Sequence, residues 1–349
     1  MPWYSVFLLP FSFLFRLITA CRNFLYEREI LKSFKSPIPT LVVGNLSVGG
    51  TGKTPIVEFL IKNLKSEVSL ATLSRGYGRK TKGFIQATAD STADQLGDEP
   101  LQIFRKFGSE IPVFVGEDRV NALIKIREIA DEIDLVILDD AFQHRKLSPD
   151  FKILLTPFSK PFFEDQLLPA GRLRESRQGA IRADLIVVTK CHENLSEQVK
   201  AEYGNQIAKY SSGKVPVYFS SIGYGKPYPV VGLAKEMNPS VILISGLADD
   251  RLFVEYCQRS FKVVEKFSFG DHHDYTLEDA QKFMQTINKF ASEKPVILTT
   301  EKDADKLKFL AKQGLLKEIP IFALPIQVVF APHEQESLLR HIREKFNIR

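Results

Sequence analysis

The run Gly44-Asn45-Leu46-Ser47-Val48-Gly49-Gly50-Thr51-Gly52-Lys53-Thr54-Pro55 holds the residue types that chelate phosphate. Glycines let a backbone curl until several N–H groups face one anion, and a helix beginning at the end of the loop adds its positive dipole. Lys53 then reaches the terminal phosphates of a nucleotide and the Thr54 hydroxyl holds Mg²⁺. Ser47, Val48, Gly49, Gly50, Thr51, Gly52, Lys53 and Thr54 are therefore the expected nucleotide-binding residues. The loop is a variant: the usual pattern has a glycine where this chain has Ser47, and the Gly49-Gly50 pair tightens the turn instead.

A phosphate loop needs a strand before it and a helix after it. The apolar run Thr40 to Val43 supplies the first, and Ile56, Val57, Leu60, Ile61 and Leu64 supply the periodicity of the second. A second strand-like run, Leu135 to Leu138, ends in Asp139-Asp140, carboxylates placed to hold the metal directly or through water. Three more clusters punctuate the pattern: Ser74-Arg75-Gly76-Tyr77-Gly78-Arg79, Gly97-Asp98-Glu99-Pro100, and Leu168 to Glu175 with Arg172 and Arg174. Each follows or lies between expected core strands, where α/β proteins build their sites. Further on, Gly270 to Tyr275 contains His272 and His273. Adjacent loop histidines rarely share one ion, and no third ligand is well spaced, which argues against zinc. No Asn/Thr-Lys-x-Asp guanine-reading motif is complete, so ATP is favoured over GTP.

Strand-like runs at 40–43, 68–73, 112–115, 135–138, 153–156, 185–188 and 215–219 alternate with helical patterns. Several are continuously apolar, as parallel strands buried on both faces must be. The expected fold class is α/β: a P-loop kinase-like α/β/α sandwich with a second, smaller α/β domain joined by a two-stranded linker. The expected boundaries are 1–36 for an N-terminal interfacial membrane helix, 37–216 for the nucleotide-binding core and 217–232 for a linker strand. The second domain then covers 233–320, and 321–349 forms a return linker strand and C-terminal helix.

The chain has 349 residues, 44% hydrophobic and 26% charged, with a net charge of +5, a globular composition. No Lys/Arg block indicates nucleic acid. The three cysteines are widely separated, offering neither a disulfide framework nor a metal site, which suits a reducing compartment. Residues Pro2 to Phe15 carry no charge and are rich in aromatics. They lack the basic start of a signal peptide, and fourteen residues fall short of the ~20 needed to span a bilayer. Followed by Arg16, Arg22, Arg28, Lys32 and Lys35, they fit a helix lying on an anionic membrane surface, a role compatible with packing on the protein's own core.

With these motifs in order, the chain resembles the tetraacyldisaccharide 4′-kinase family of lipid A biosynthesis over nearly its whole length. The motifs are Gly44–Pro55, Ser74–Arg79, Gly97–Pro100, Asp139–His144, Leu168–Glu175, Asp271–His273 and Thr299–Ala304. Ala141 departs from the family's frequent glycine. The resemblance implies transfer of the ATP γ-phosphoryl group, with Mg²⁺, to the 4′-hydroxyl of a lipid A disaccharide monophosphate at the cytoplasmic face of the inner membrane. It implies Asp98 as the base, assisted by His272 or its neighbour from the second domain on domain closure. Lys53 and metal-bound Thr54, Asp139 and Asp140 would neutralise phosphate charge. Arg75, Arg79, Gln143, Arg172, Arg174 and Glu175 are the expected substrate-binding set. The competing reading is a partitioning or cargo-loading ATPase, but those carry a lysine before the Gly-Gly pair where this chain has Val48. A nucleotide-gated membrane scaffold is the non-enzymatic alternative.

Overall fold

A computed structural model describes residues 5–213, 215–232, 236–271, 273–314, 316–317 and 319–348. The chain divides into two compact units, one formed by 1–221 with 328–349 and the other by 222–327. The first unit is built on a nine-stranded sheet. Its strands run in the order 326–330, 217–224, 185–191, 151–157, 40–45, 135–139, 70–74, 113–115 and 85–86. From 217–224 to 113–115 every neighbour is parallel, and the short 85–86 edge is antiparallel to its partner.

Burial explains the parallel arrangement. The strands Thr40–Asn45, Leu70–Ser74, Val113–Val115 and Leu135–Asp139 are buried at every residue. Alternate side chains enter opposite layers. Leu41, Val43 and Ile137 join a core with Ile56, Leu60 and Leu64 of helix Lys53–Leu64 and with Leu338, Leu339 and Ile342 of the C-terminal helix. Val42, Val136 and Leu138 join the other layer, with Leu123 and Ile126 of helix Arg119–Ile129. Strand Thr40–Asn45 is where the winding reverses, since the chain first builds outward to 113–115 and later adds 151–157 on the opposite side. Ligand sites of open α/β sheets form at such a point, beyond the strands' carboxyl ends.

The second unit has its own five-stranded sheet, ordered 228–231, 321–324, 296–300, 240–245 and 262–268. Here the domain expectation needs correction. Ile321–Leu324, expected in a return linker, is a fully buried strand inside this sheet, paired in parallel with Val296–Thr300. Pro325 separates it from Ile326–Phe330, which lies at the edge of the nine-stranded sheet. The 217–232 stretch, expected as one linker strand, holds two, Val217–Tyr224 in the nine-stranded sheet and Tyr228–Val231 in the five-stranded one. Helix Glu301–Lys312 went unrecognised in the sequence, although Thr300 caps it by accepting from the Asp303 amide.

The N-terminal helix, Ser5–Glu27, has 23 residues, longer than the uncharged run that announced it. Its stretch Phe7–Glu27 is long and apolar enough, by length and composition, to cross a membrane. Its orientation is inverted relative to an ordinary amphipathic helix. Ser12 and Thr19 are buried, whereas Phe7, Phe11, Phe13, Leu14, Leu17, Ile18 and Phe24 are exposed. Spacings of seven and four put Ser12, Thr19 and Asn23 on one face.

Candidate active site

Gly52, at φ 86°, turns the loop into helix Lys53–Leu64, whose first N–H groups have no intrahelical partner. Gly49 also needs the left-handed region, at φ 99°. The Thr51 carbonyl accepts from Thr189 Oγ1 at 2.7 Å, fixing the loop to the end of strand Leu185–Cys191. Lys190 follows in the left-handed region, its ammonium 3.7 Å from where a Gly50 side chain would begin. Neither Thr189 nor Lys190 was expected at the loop.

Part of the expected nucleotide set is otherwise engaged. The Val48 amide donates to the Arg172 carbonyl at 2.8 Å, and Ser47 bridges to Leu173. The Arg174 amide donates to the Leu46 carbonyl at 2.7 Å, so residues 46–48 pair as a strand with 172–174. Ser47 and Val48 thus brace the loop, leaving Gly49 to Thr54 as the stretch that a phosphate cradle would use.

Beside the cradle, strand Leu135–Asp139 delivers the two acids. Asp140 takes φ 50°, which swings its carboxylate away from the strand direction. Arg174 holds it bidentately at 2.7 and 2.9 Å, and Lys53 Nζ lies 3.9 Å away. Despite its burial, hydrogen bonds from Arg174 and the charge of Lys53 keep its carboxyl below the usual range. Asp139 is the opposite case. Burial, then the charge of Glu99, push it up to about 7, and its Oδ1 is buried without a hydrogen-bond partner. Such a carboxylate is short of a cation.

Among the described residues no group of three or more His, Cys, Asp or Glu could cage an ion. Mg²⁺ chemistry asks for no such cage, since one or two carboxylates, a hydroxyl, waters and nucleotide phosphates can share the ion. Thr54, Asp139 and Asp140 fit such a donor set. Arg119, only 3% exposed, stands near both acids. Burial and the neighbouring Arg75 lower its pKa to about 10.

The loops at 74–79 and 97–100 interlock through glycine. A Cβ on Gly76 would lie 2.6 Å from the Leu96 carbonyl, and one on Gly97 would lie 2.7 Å from that of Tyr77. Only glycine permits this approach, which brings Arg75 and half-buried Asp98 to one edge of the first unit. Asp98 opens helix Asp98–Phe107, directly after Gly97 at φ 90°.

The expected substrate residues separate into two groups. Arg75 is exposed beside Arg119. Arg79 instead pairs with Glu117 at 2.5 Å and donates to the Gly83 carbonyl, and Arg172 pairs with Asp165 at 2.8 Å. Glu175 is completely buried, accepting from Arg182 at 2.8 Å and from Gln143 at 2.9 Å. Gln143 also donates to the Asn45 carbonyl at 2.8 Å. Glu175 and Gln143 therefore form an internal support; sequence reasoning missed their partners Asn45 and Arg182, and the Asp165 that pairs with Arg172.

His144, which closes the Asp139 segment, is held down at about 4 by burial first and then by Arg119. An unfolded histidine titrates near 6.5. A depressed folded pKa means stability that is full above about 6.5 and lost as pH falls towards 4. Thermal unfolding from pH 7.5 to 4 should show this decline, and His144→Asn should flatten it by one proton's slope. An equally steep decline in the variant places the dependence elsewhere.

In the second unit, His273 Nε2 lies 2.9 Å from Asp279 and its ring stacks on Phe269. Asp271 pairs with Lys302 at 2.6 Å, and buried Asp303 accepts from the Gly246 amide and the Thr300 hydroxyl. His272 lies outside the described residues.

The family profile described as Tetraacyldisaccharide-1-P 4′-kinase matches residues 4–346. The chain belongs to this family. The tetraacyldisaccharide 4′-kinase of Cytophaga hutchinsonii is 39% identical over 97% of this chain and 95% of its own length. That of Flavobacterium johnsoniae is 40% identical over 97% of each. A crystal structure of LpxK from Aquifex aeolicus in complex with ATP superimposes with a TM-score of 0.74, at 32% identity, over 98% of this chain and 99% of that one. The fold is thus that of a P-loop kinase. Its activity is the family's, ATP-dependent phosphorylation of a tetraacyldisaccharide 1-phosphate at the 4′ position in lipid A biosynthesis. The partitioning-ATPase and scaffold readings fall with this assignment.

Proposed function

We propose that the chain carries out this transfer at the cytoplasmic face of the bacterial inner membrane, with Mg²⁺, through the residues gathered at the phosphate loop. The observation that carries the residue-level reading is the convergence of Lys53, Asp140 and Arg174 beside the loop Gly49–Thr54. The acceptor 4′-oxygen attacks the γ-phosphorus, the bond to the β-bridging oxygen breaks, and ADP leaves with that electron pair. Lys53 and the helix N-terminus stabilise the charge on the leaving phosphates. Mg²⁺, held by Thr54, Asp139 and Asp140, would neutralise the phosphate oxygens when bound. Asp98 takes the hydroxyl proton. Arg174 keeps Asp140 ionised and aimed, while Arg75, exposed near Arg119, is offered to an anionic acceptor.

The test is ATP consumption that depends on the disaccharide 1-phosphate and yields a lipid bearing one more phosphate. ATP turnover indifferent to the acceptor refutes the reading.

The membrane assignment rests on the N-terminal helix. Ser12 and Asn23, about 16 Å apart along the axis by helical rise, both hydrogen-bond to the body of the first unit. A helix docked along that length lies down, turning its aromatic face outward to lipid. Replacing exposed Phe11, Phe13 and Leu14 together by serine should move the protein from liposomes containing anionic lipid into the supernatant. Each buried apolar side chain is worth roughly 1.5–3 kcal/mol, so the partition should fall by well over tenfold. Undiminished co-sedimentation removes the helix from membrane binding.

A further inference from the structure

The buried face of the N-terminal helix touches the same loop that braces the phosphate cradle. Ser12, the only polar residue from Phe7 to Phe15, is only 8% exposed. Its hydroxyl donates to the Leu167 carbonyl and accepts from the Ala170 amide, both at 3.0 Å. Residues 166–173 close on themselves, with the Leu173 amide on the Gln166 carbonyl at 2.8 Å and the Leu168 amide on the Leu173 carbonyl at 2.9 Å. Gly171 permits this closure, since a Cβ there would lie 2.3 Å from the Gln166 carbonyl oxygen. The far side of this hairpin is the segment paired with Leu46 to Val48. One small unit is thus gripped by the helix at one end and grips the phosphate loop at the other.

A second connection starts eleven residues along the same helix face. Asn23 Nδ2 donates to Glu175 Oε2 at 3.3 Å. Glu175 accepts from Gln143, Gln143 donates to the Asn45 carbonyl, and Arg174 donates to that carbonyl at 3.0 Å and to Asn45 Oδ1 at 2.5 Å. Arg174 ends on Asp140. Every member is partly or wholly buried, where hydrogen bonds are directional and costly to leave unmade. Lipid anchoring alone needs neither group. Alanine or leucine would dock the helix without burying a hydroxyl that must be satisfied.

We infer that Ser12 and Asn23 are positioning residues for phosphoryl transfer: the N-terminal helix sets the Gln166–Glu175 segment and, through it, the placement of Arg174 against Asp140. The inference rests on the kinase reading but not on membrane binding. The two faces of one helix then have separable roles, the exposed face meeting lipid and the buried face holding the catalytic groups in register. Deleting the helix removes both at once, so point substitutions are the proper probe.

The experiment uses the full chain, saturating ATP and Mg²⁺, and a water-soluble, short-chain disaccharide 1-phosphate as acceptor. Ser12→Ala and Asn23→Leu should each lower kcat by about tenfold, the effect of losing one or two hydrogen bonds from transition-state alignment. The KM for ATP should stay within about twofold, because Gly49–Thr54 and Lys53 are untouched. Ser12→Thr, which keeps the hydroxyl, should restore most of the rate. Liposome co-sedimentation of both variants should match the parent, while the Phe11/Phe13/Leu14 triple-serine variant should bind poorly yet keep its kcat on the soluble acceptor. Should Ser12→Ala fold poorly, Asn23→Leu, at a half-buried position, carries the test alone. A kcat within twofold of the parent for Asn23→Leu and for folded Ser12→Ala overturns the inference, as does failure of Ser12→Thr to recover a rate that Ser12→Ala lost. Absence of acceptor-dependent transfer in the parent protein would instead refute the residue-level kinase reading.

Discussion

Lys53→Ala is expected to abolish phosphoryl transfer while leaving the fold intact. Lys53 opens the helix after the phosphate loop and its ammonium lies 3.9 Å from Asp140, at the carboxyl end of the central strands. It belongs to neither apolar cluster of the first unit, so its loss removes charge from the cradle and almost nothing from the core. Phosphoryl transfer is catalysed chiefly by positioning and charge neutralisation, and a cation beside the transferring group is worth about 10³–10⁵ in rate. The charge of Lys53 also lowers the pKa of both Asp139 and Asp140. Its removal should therefore hold Asp139 still more protonated and weaken metal affinity as well. Acceptor-dependent turnover measured beside thermal unfolding decides the matter. Near-normal turnover by a folded variant would remove the phosphate loop from the mechanism.

The parts of this site that were legible in the sequence are those carried by local pattern. The phosphate loop is contiguous, and its strand and helix announce themselves by unbroken hydrophobicity and by 3.6-residue periodicity. Asp139-Asp140 was readable because an apolar strand of five residues ends there in acid. The connections between segments were not. The Asn45–Gln143–Glu175 support joins residues 98 and 32 positions apart, and no spacing rule encodes such a contact. Arg79 and Arg172 read as ligand-seeking cations because Glu117 and Asp165, which pair with them, lie outside the motifs. Helix Glu301–Lys312 was missed for a different reason. Its charged opening follows the strand Val296–Thr300 without a break, although Ala304, Leu307, Leu310 and Ala311 keep helical spacing and Thr300 with Asp303 forms its cap. The division at Pro325 was also hidden, since both flanking runs are extended and apolar and only sheet membership separates them.

Asp98→Asn should lower kcat by about 10²–10⁴-fold, the usual worth of a general base, with little change in ATP affinity. The change is nearly isosteric, so the entry to helix Asp98–Phe107 and the glycine contact at Gly97 should survive it. What disappears is the carboxylate that receives the acceptor's proton as the new oxygen–phosphorus bond forms. Glu99, one residue further, has a different influence, since its charge raises the pKa of Asp139. Glu99→Gln should consequently alter the metal dependence of the rate more than its maximum. Comparing the two variants separates base from metal environment. For Asp98→Asn the revealing pair of measurements is single-turnover transfer and equilibrium ATP binding. Slow transfer with intact binding is the expected result, whereas collapsed ATP binding with normal residual turnover would make Asp98 a nucleotide or metal ligand.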